Sequence, residues 1–114
     1  MKWVNDKILE ERRVNSKGFL VAVFLQYQSI TCRNYIPEFT AAAVAMKCWN
    51  VEFYGIEVTE NPIMAEACEI RFVPTTVIFH GGNEIKRYEG PYTKESLKQR
   101  LADLMADTKK KGTA

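Results

Sequence analysis

The stretch "FLVAVFLQY", residues 19–27, limits the fold more than any other part of the chain. A strand with one face in water alternates apolar and polar side chains. A continuous apolar run instead marks a strand buried on both faces, inside a parallel or mixed sheet covered by helices. With 114 residues the chain has room for one domain and a real hydrophobic core.

The flanking segments supply those helices. "NDKILEERRV" predicts a short amphipathic helix, with Asn5 or Asp6 as N-cap and Ile8, Leu9 and Val14 facing inward. "NSKG" (15–18) breaks it. From Ser29 or Thr31 to about Lys47 the pattern is helical again, with Tyr35, Ile36, Phe39, Ala43 and Met46 at i, i+3/i+4 spacing. Pro37 falls inside this helix and is expected to kink it, because it removes a backbone donor. "VEFYGIEV" (51–58) predicts a second strand, and Pro62 suits the first turn of a short helix through "IMAEAC".

"FVPTTVIF" (72–79), the turn "HGGNE" and "IKRYEG" (85–90) predict a β-hairpin. "PYTKESLKQRLADLMAD" then closes the domain as an amphipathic helix, with Thr93 as N-cap and Leu97, Leu101, Leu104 and Met105 on one stripe. Strands separated by helices require parallel crossovers, while the hairpin adds antiparallel neighbours. The expected architecture is α/β: a mixed central sheet with helices on both faces.

Charge and cysteine usage exclude several function classes. Sixteen basic against fourteen acidic residues give a net charge of +2, which makes no case for nucleic acid. The only basic cluster, "KKK" at 109–111, sits in a polar segment, 106–114, expected to be a disordered tail after a domain of residues 1–105. No apolar stretch approaches the ~20 residues needed to span a bilayer, so no membrane partner is expected. The N-terminal "MKWVNDKILEERR" is too charged for a secretory signal, which points to the cytoplasm. Cys32, Cys48 and Cys68 are odd in number and lack metal-ligand spacing, and His80 stands alone. Free thiols, with no metal and no cofactor, are the expectation.

Four ordered features resemble the thioredoxin family. They are the apolar strand with Phe24 leading to Cys32 and Pro37; "NP" at 61–62; "IRFVPT" (70–75); and "GGNEIKRYEG" (81–90), with Gly82 and Gly90. Together they cover roughly residues 5–105. The resemblance implies a thioredoxin-like fold and a cis peptide bond before Pro74. It also implies a peptide-binding edge at Val73–Pro74. The departures are as informative. Where the family has Trp-Cys-Gly-Pro-Cys, this chain has Gln28-Ser29-Ile30-Thr31-Cys32. Ser29 stands in place of the attacking cysteine, and Cys32 matches the second, less exposed one. Val23 replaces a buried acid that handles protons in the family, and Gly55 replaces a lysine near it. "QSITCR" is also similar, more distantly, to phosducin-like and chaperonin-modulating proteins of this fold, which are redox-inactive.

Two function classes follow. A dithiol oxidoreductase attacks a substrate disulfide with a thiolate, and a neighbouring thiol resolves the mixed disulfide. Ser29 occupies the attacking position with a hydroxyl and has no base placed to activate it. Its simpler reading is a helix N-cap. Loss of the dithiol favours a redox-inert binding or adaptor module, of co-chaperone type. The alternative is an enzyme, a monothiol oxidoreductase or redox sensor, in which Cys32 exchanges with glutathione or a partner cysteine. Cys68 could restore a dithiol only if its Cα lies within ~7 Å of that of Cys32. Cys48, ~24 Å further along the same predicted helix, cannot pair with Cys32 and is expected to be a buried or half-buried residue at the helix end. For binding, the resemblance places Tyr27, Ile30, Phe72, Val73, Pro74 and Pro91 around the Val73–Pro74 edge, where a protein or extended peptide would add as a strand. Trp3 and Trp49 are expected to cover the ends of the sheet.

Overall fold

In the computed structural model, which describes residues 1–112, the all-apolar run becomes the centre of the sheet. Strand β2 (Phe19–Leu25) pairs in parallel with β3 (Val51–Glu57) and antiparallel with β4 (Thr75–His80). The hairpin partner β5 (Asn83–Glu89) lies beyond β4. At the other edge is β1 (Lys2–Trp3), a two-residue strand the sequence pattern did not reveal, paired in parallel with Tyr54 and Gly55 of β3. The order is β1-β3-β2-β4-β5, a mixed five-stranded sheet.

All seven residues of β2 are buried, so its two faces build two cores. Phe19, Val21, Val23 and Leu25 face α2 (Ile30–Ala45) and α4 (Lys94–Gly112), packing with Tyr35, Phe39, Met46, Leu97, Leu101 and Met105. Leu20, Ala22 and Phe24 face α1 (Asp6–Asn15) and α3 (Pro62–Ala67), packing with Leu9 and Met64. Burial of Tyr35 and Phe39 contributes about 1.5–3 kcal/mol each, more than any single cap, so packing sets the position of α2. The helix runs unbroken through Pro37, whose ring is exposed.

Local signals end most elements as read from the sequence. The Asn5 side chain accepts from the Ile8 N–H at 2.8 Å, and Thr93 Oγ1 from the Ser96 N–H at 3.2 Å. Between β4 and β5, Gly81 and Gly82 have φ of 59° and 85°, the left-handed pair that a two-residue hairpin turn requires. Caps also cross between elements. Asp6 Oδ1 and Oδ2 accept from the Met64 and Ile63 N–H groups at 2.7 and 3.2 Å, and the Asp6 N–H donates to Asn61 Oδ1 at 3.2 Å. The first turn of α1 therefore caps α3 and is capped by the residue before it. Glu38 of α2 likewise accepts from the Lys94 N–H that opens α4, at 2.7 Å.

Several sequence expectations are corrected. Val14 and Ile8 are exposed, leaving Leu9 as the only buried residue of α1. The α2 helix stops at Ala45, and Cys48 lies in a separate 3₁₀ turn, Lys47–Trp49, with its side chain exposed rather than buried. The third strand starts at Thr75, after Pro74, rather than at Phe72. The final helix continues past residue 105 to Gly112, so residues 106–112 extend α4 instead of forming a disordered tail; Thr113 and Ala114 lie outside the described residues.

Replacing Asp6 with alanine removes two acceptors from the start of α3. Urea unfolding should show a loss of about 1–2 kcal/mol, with Asn at this position recovering part of it. A loss no larger than for alanine at exposed Lys7 would mean that the crossed caps contribute nothing.

Candidate functional site

Four residues separate the end of β2 from α2, and their geometry is set by hydrogen bonds at both ends. The Ser29 N–H bonds the Gln26 carbonyl at 3.0 Å, and the Ser29 carbonyl accepts from the Arg33 N–H at 3.0 Å. Ser29 Oγ accepts from the Cys32 N–H at 3.2 Å, in the extended backbone conformation of an N-cap. The hydroxyl at the attacking position thus serves the helix end.

Cys32 is 0% exposed and lies in the core formed by Val23, Tyr35 and α4. A thiol with no access to solvent cannot reach a substrate disulfide without opening the helix start. Its other possible partner is elsewhere. Cys68 packs against the α1/α3 core on the opposite face of the sheet from Cys32, so the two cannot form a dithiol. Burial first, then the Glu84 carboxylate, raise the Cys68 pKa, which keeps that thiol protonated.

The two positions at which the resemblance leads one to expect a proton-handling pair carry Val23 and Gly55. Val23 and Gly55 are direct neighbours across the β2–β3 ladder, so the two departures from the family pattern occupy one spot. A Cβ added at Gly55 would sit 2.8 Å from Met1 Sδ and 2.9 Å from Trp3 Cζ3. The Trp3 ring fills the space over this glycine, and a lysine there would displace it. Thr76, paired with Val23 across the β2–β4 ladder, is bonded through Oγ1 to the Tyr35 phenol at 2.8 Å; burial pushes the pKa of Tyr35 up to about 12. It stays protonated at neutral pH.

The expected rim is exposed in part. Tyr27, Ile30 and Phe72 are 44%, 66% and 62% exposed, and Pro91 is exposed. Val73 is half-buried, and Pro74, expected on the rim, is buried behind it. The Val73–Pro74 peptide bond is cis. The Pro74 carbonyl accepts from the Gly90 N–H at 2.8 Å, and the Phe72 carbonyl from Thr75 Oγ1 at 2.7 Å. Among the described residues no hydrogen bond engages the backbone of Val73. A free N–H and C=O beside exposed apolar side chains suit an added strand.

One residue of this region had no signal in the sequence. Glu57, at the end of β3, is 5% exposed and accepts from the Tyr27 N–H (2.9 Å), the Thr59 N–H (2.6 Å) and the Glu60 N–H (3.0 Å). Burial alone would raise its pKa, but these donors outweigh burial and hold it below the ordinary carboxylate value. The carboxylate ties the loop carrying Tyr27 to the loop after β3. A cross-strand neighbour on the next loop could not be inferred from spacing.

With strand order, cis peptide and the helix-start cysteine in place, the class is defined: the chain belongs to the thioredoxin family, whose family model matches residues 4–103. Human protein disulfide-isomerase A6 is 33% identical over 79 residues, 67% of this chain and 18% of that protein. Protein disulfide isomerase-like 1-3 of Arabidopsis thaliana is 31% identical over 84 residues, 74% of this chain and 14% of that protein. The chain therefore spans less than a fifth of these relatives. A crystal structure of chloroplastic thioredoxin z superposes with a TM-score of 0.81 at 22% identity, covering 93% of this chain and 95% of that one.

Because folding depresses its pKa, ionised Glu57 stabilises the fold above the unfolded value of about 4.3, and that contribution is lost as pH falls through the lower folded value. Glu57→Gln turns an amide NH₂ toward at least one backbone donor and should lower stability by about 1–3 kcal/mol at neutral pH. The gap to the parent protein should narrow in acid; a gap independent of pH would mean the negative charge is not what matters.

Proposed function

We propose that this protein is a redox-inert binding module, of adaptor or co-chaperone type, that holds an extended segment of a partner protein along the Val73–Pro74 edge in the cytoplasm. The observation that carries this reading is the start of α2. Ser29 caps the helix where a dithiol enzyme places its nucleophile, and the one cysteine beside it is fully buried. The aromatic and apolar rim of Tyr27, Ile30 and Phe72, next to the unpaired Val73 backbone, supports the binding half of the proposal. Similarity to disulfide isomerases and to a thioredoxin fits descent from a redox scaffold whose recognition edge was kept.

The competing reading is thiol exchange at Cys32 with glutathione or a partner cysteine. The two differ in one measurable quantity, the alkylation rate of each cysteine in the native protein, resolved by peptide mass spectrometry. Exposed Cys48 should react quickly, half-buried Cys68 slowly, and Cys32 only at the rate of unfolding. Fast, saturating modification of native Cys32 would replace the binding-module reading with monothiol chemistry.

Restoring the dithiol tests the same reading from the other side. Ser29→Cys should create measurable disulfide reductase activity that remains far below that of a dithiol thioredoxin, since Val23 and Gly55 supply no proton relay. Activity equal to an ordinary thioredoxin from this single change would make Val23 and Gly55 irrelevant.

A further inference from the structure

A groove of ≈ 280 Å³ opens beyond the carboxyl ends of the parallel strands β1, β3 and β2, sharing Tyr27 with the rim of the Val73–Pro74 edge but lined by neither Val73 nor Pro74. Crevices at the carboxyl ends of parallel strands are where open α/β sheets present ligand sites. Trp3, Tyr27 and Ile8 form its apolar walls, with the carboxylates of Glu57 and Glu60 at its side. The Trp3 and Tyr27 rings meet edge to face, with centroids 5.4 Å apart and planes at 70°, and each ring is only about half covered.

The charge in this groove is one-sided. Glu57 is buried and ionised, and it is compensated by backbone N–H groups and the Thr59 side chain rather than by a cation. Among the described residues no lysine or arginine forms an ion pair with Glu57 or Glu60. The Tyr27 phenol registers this field: burial, then Glu57 and Glu60, raise its pKa. Three groups able to hold a metal do not gather here or elsewhere among the described residues. Two aromatic rings beside an unpaired carboxylate suit an organic cation better, because ring faces attract ammonium and guanidinium groups and the carboxylate fixes their orientation.

We propose that this groove is a second recognition pocket, built to take a basic side chain, arginine or lysine, of the partner polypeptide, with the side-chain stem against Trp3 and Ile8 and its charge at Glu60. The pocket extends the binding-module reading by naming a chemistry for the partner. It uses none of the Val73–Pro74 backbone. Trp3 has a double role: its ring fills the space over Gly55 on one side and walls the groove on the other.

The test is an amide and indole NMR titration of the full chain with the tripeptide acetyl-Gly-Arg-Gly-amide. The control is the same peptide carrying citrulline, which keeps the shape and removes the charge. The arginine peptide should give saturable shifts at the Trp3 indole and the Tyr27, Thr59 and Glu60 amides, and the citrulline peptide should not. Glu60→Gln should weaken binding about two- to fivefold, as for an exposed ion pair. Glu60→Lys, at an exposed position that does not threaten folding, should abolish it. Equal binding of the citrulline peptide, unchanged affinity in Glu60→Lys, or no saturable shift at millimolar peptide overturns the proposal. Shifts at Phe72 and Val73 with an uncharged extended peptide report the edge separately, so failure of the pocket and failure of the edge are told apart.

Discussion

Strand β2 is hydrogen-bonded along both edges and covered on both faces, and it sets the frame for the candidate site. Its register with β3 sets Val23 beside Gly55, and its register with β4 sets Val23 beside Thr76. Both of its faces are apolar, so a slip by one residue would not expose a polar side chain to the core. It would instead exchange Phe19, Val21, Val23 and Leu25 for the smaller set Leu20, Ala22 and Phe24 under α2 and α4, with misfit in two cores at once. Bonds at the strand's ends guard against this: the Val58 N–H to the Leu25 carbonyl at 2.9 Å, and the Gly81 N–H to the Gly18 carbonyl at 3.2 Å.

Where β2 ends, the loop must turn at once into α2, and the free N–H groups of that helix need acceptors. In a dithiol enzyme a thiolate gains from this location. Here the hydroxyl of Ser29 takes the Cys32 N–H, and the thiol one turn in faces the core. The same scaffold features that would present a nucleophile instead steady the loop carrying Tyr27, with Glu57 holding it from the β3 side. The two proposed recognition surfaces flank this loop. The strand edge at Val73 offers unpaired backbone, and the groove at Trp3 offers aromatic faces and negative charge.

Short-range chemistry was legible in the chain, and contacts between distant segments were not. The two-sided burial of β2, the caps at Asn5, Ser29 and Thr93, the Gly81–Gly82 turn and the inward stripe of α2 all depend on residues within a few positions of one another. The two-residue strand β1 carries no period to read. Its place follows from Gly55 leaving room for the Trp3 ring, a fit between segments more than fifty residues apart. Glu57 looked like an ordinary polar residue ending a strand, because its donor at Tyr27 lies thirty positions away. Cys48 was expected under cover because the helix pattern was extended through Lys47. The helix ends at Ala45 instead, and the following 3₁₀ turn rotates that thiol into solvent.

The amino-acid sequence by itself determined the sheet's buried centre, the order of the four helices and the four longer strands, and the absence of a CxxC dithiol. Those follow from side-chain polarity and from which atoms a serine or valine does not have. The tertiary structure alone decided that Cys32 and Cys68 lie on opposite faces of the sheet, that Pro74 is buried behind Val73, and that Trp3, Tyr27 and Glu60 share one groove. Accessibility and proximity between distant segments depend on how the layers close, and no local pattern encodes that closure.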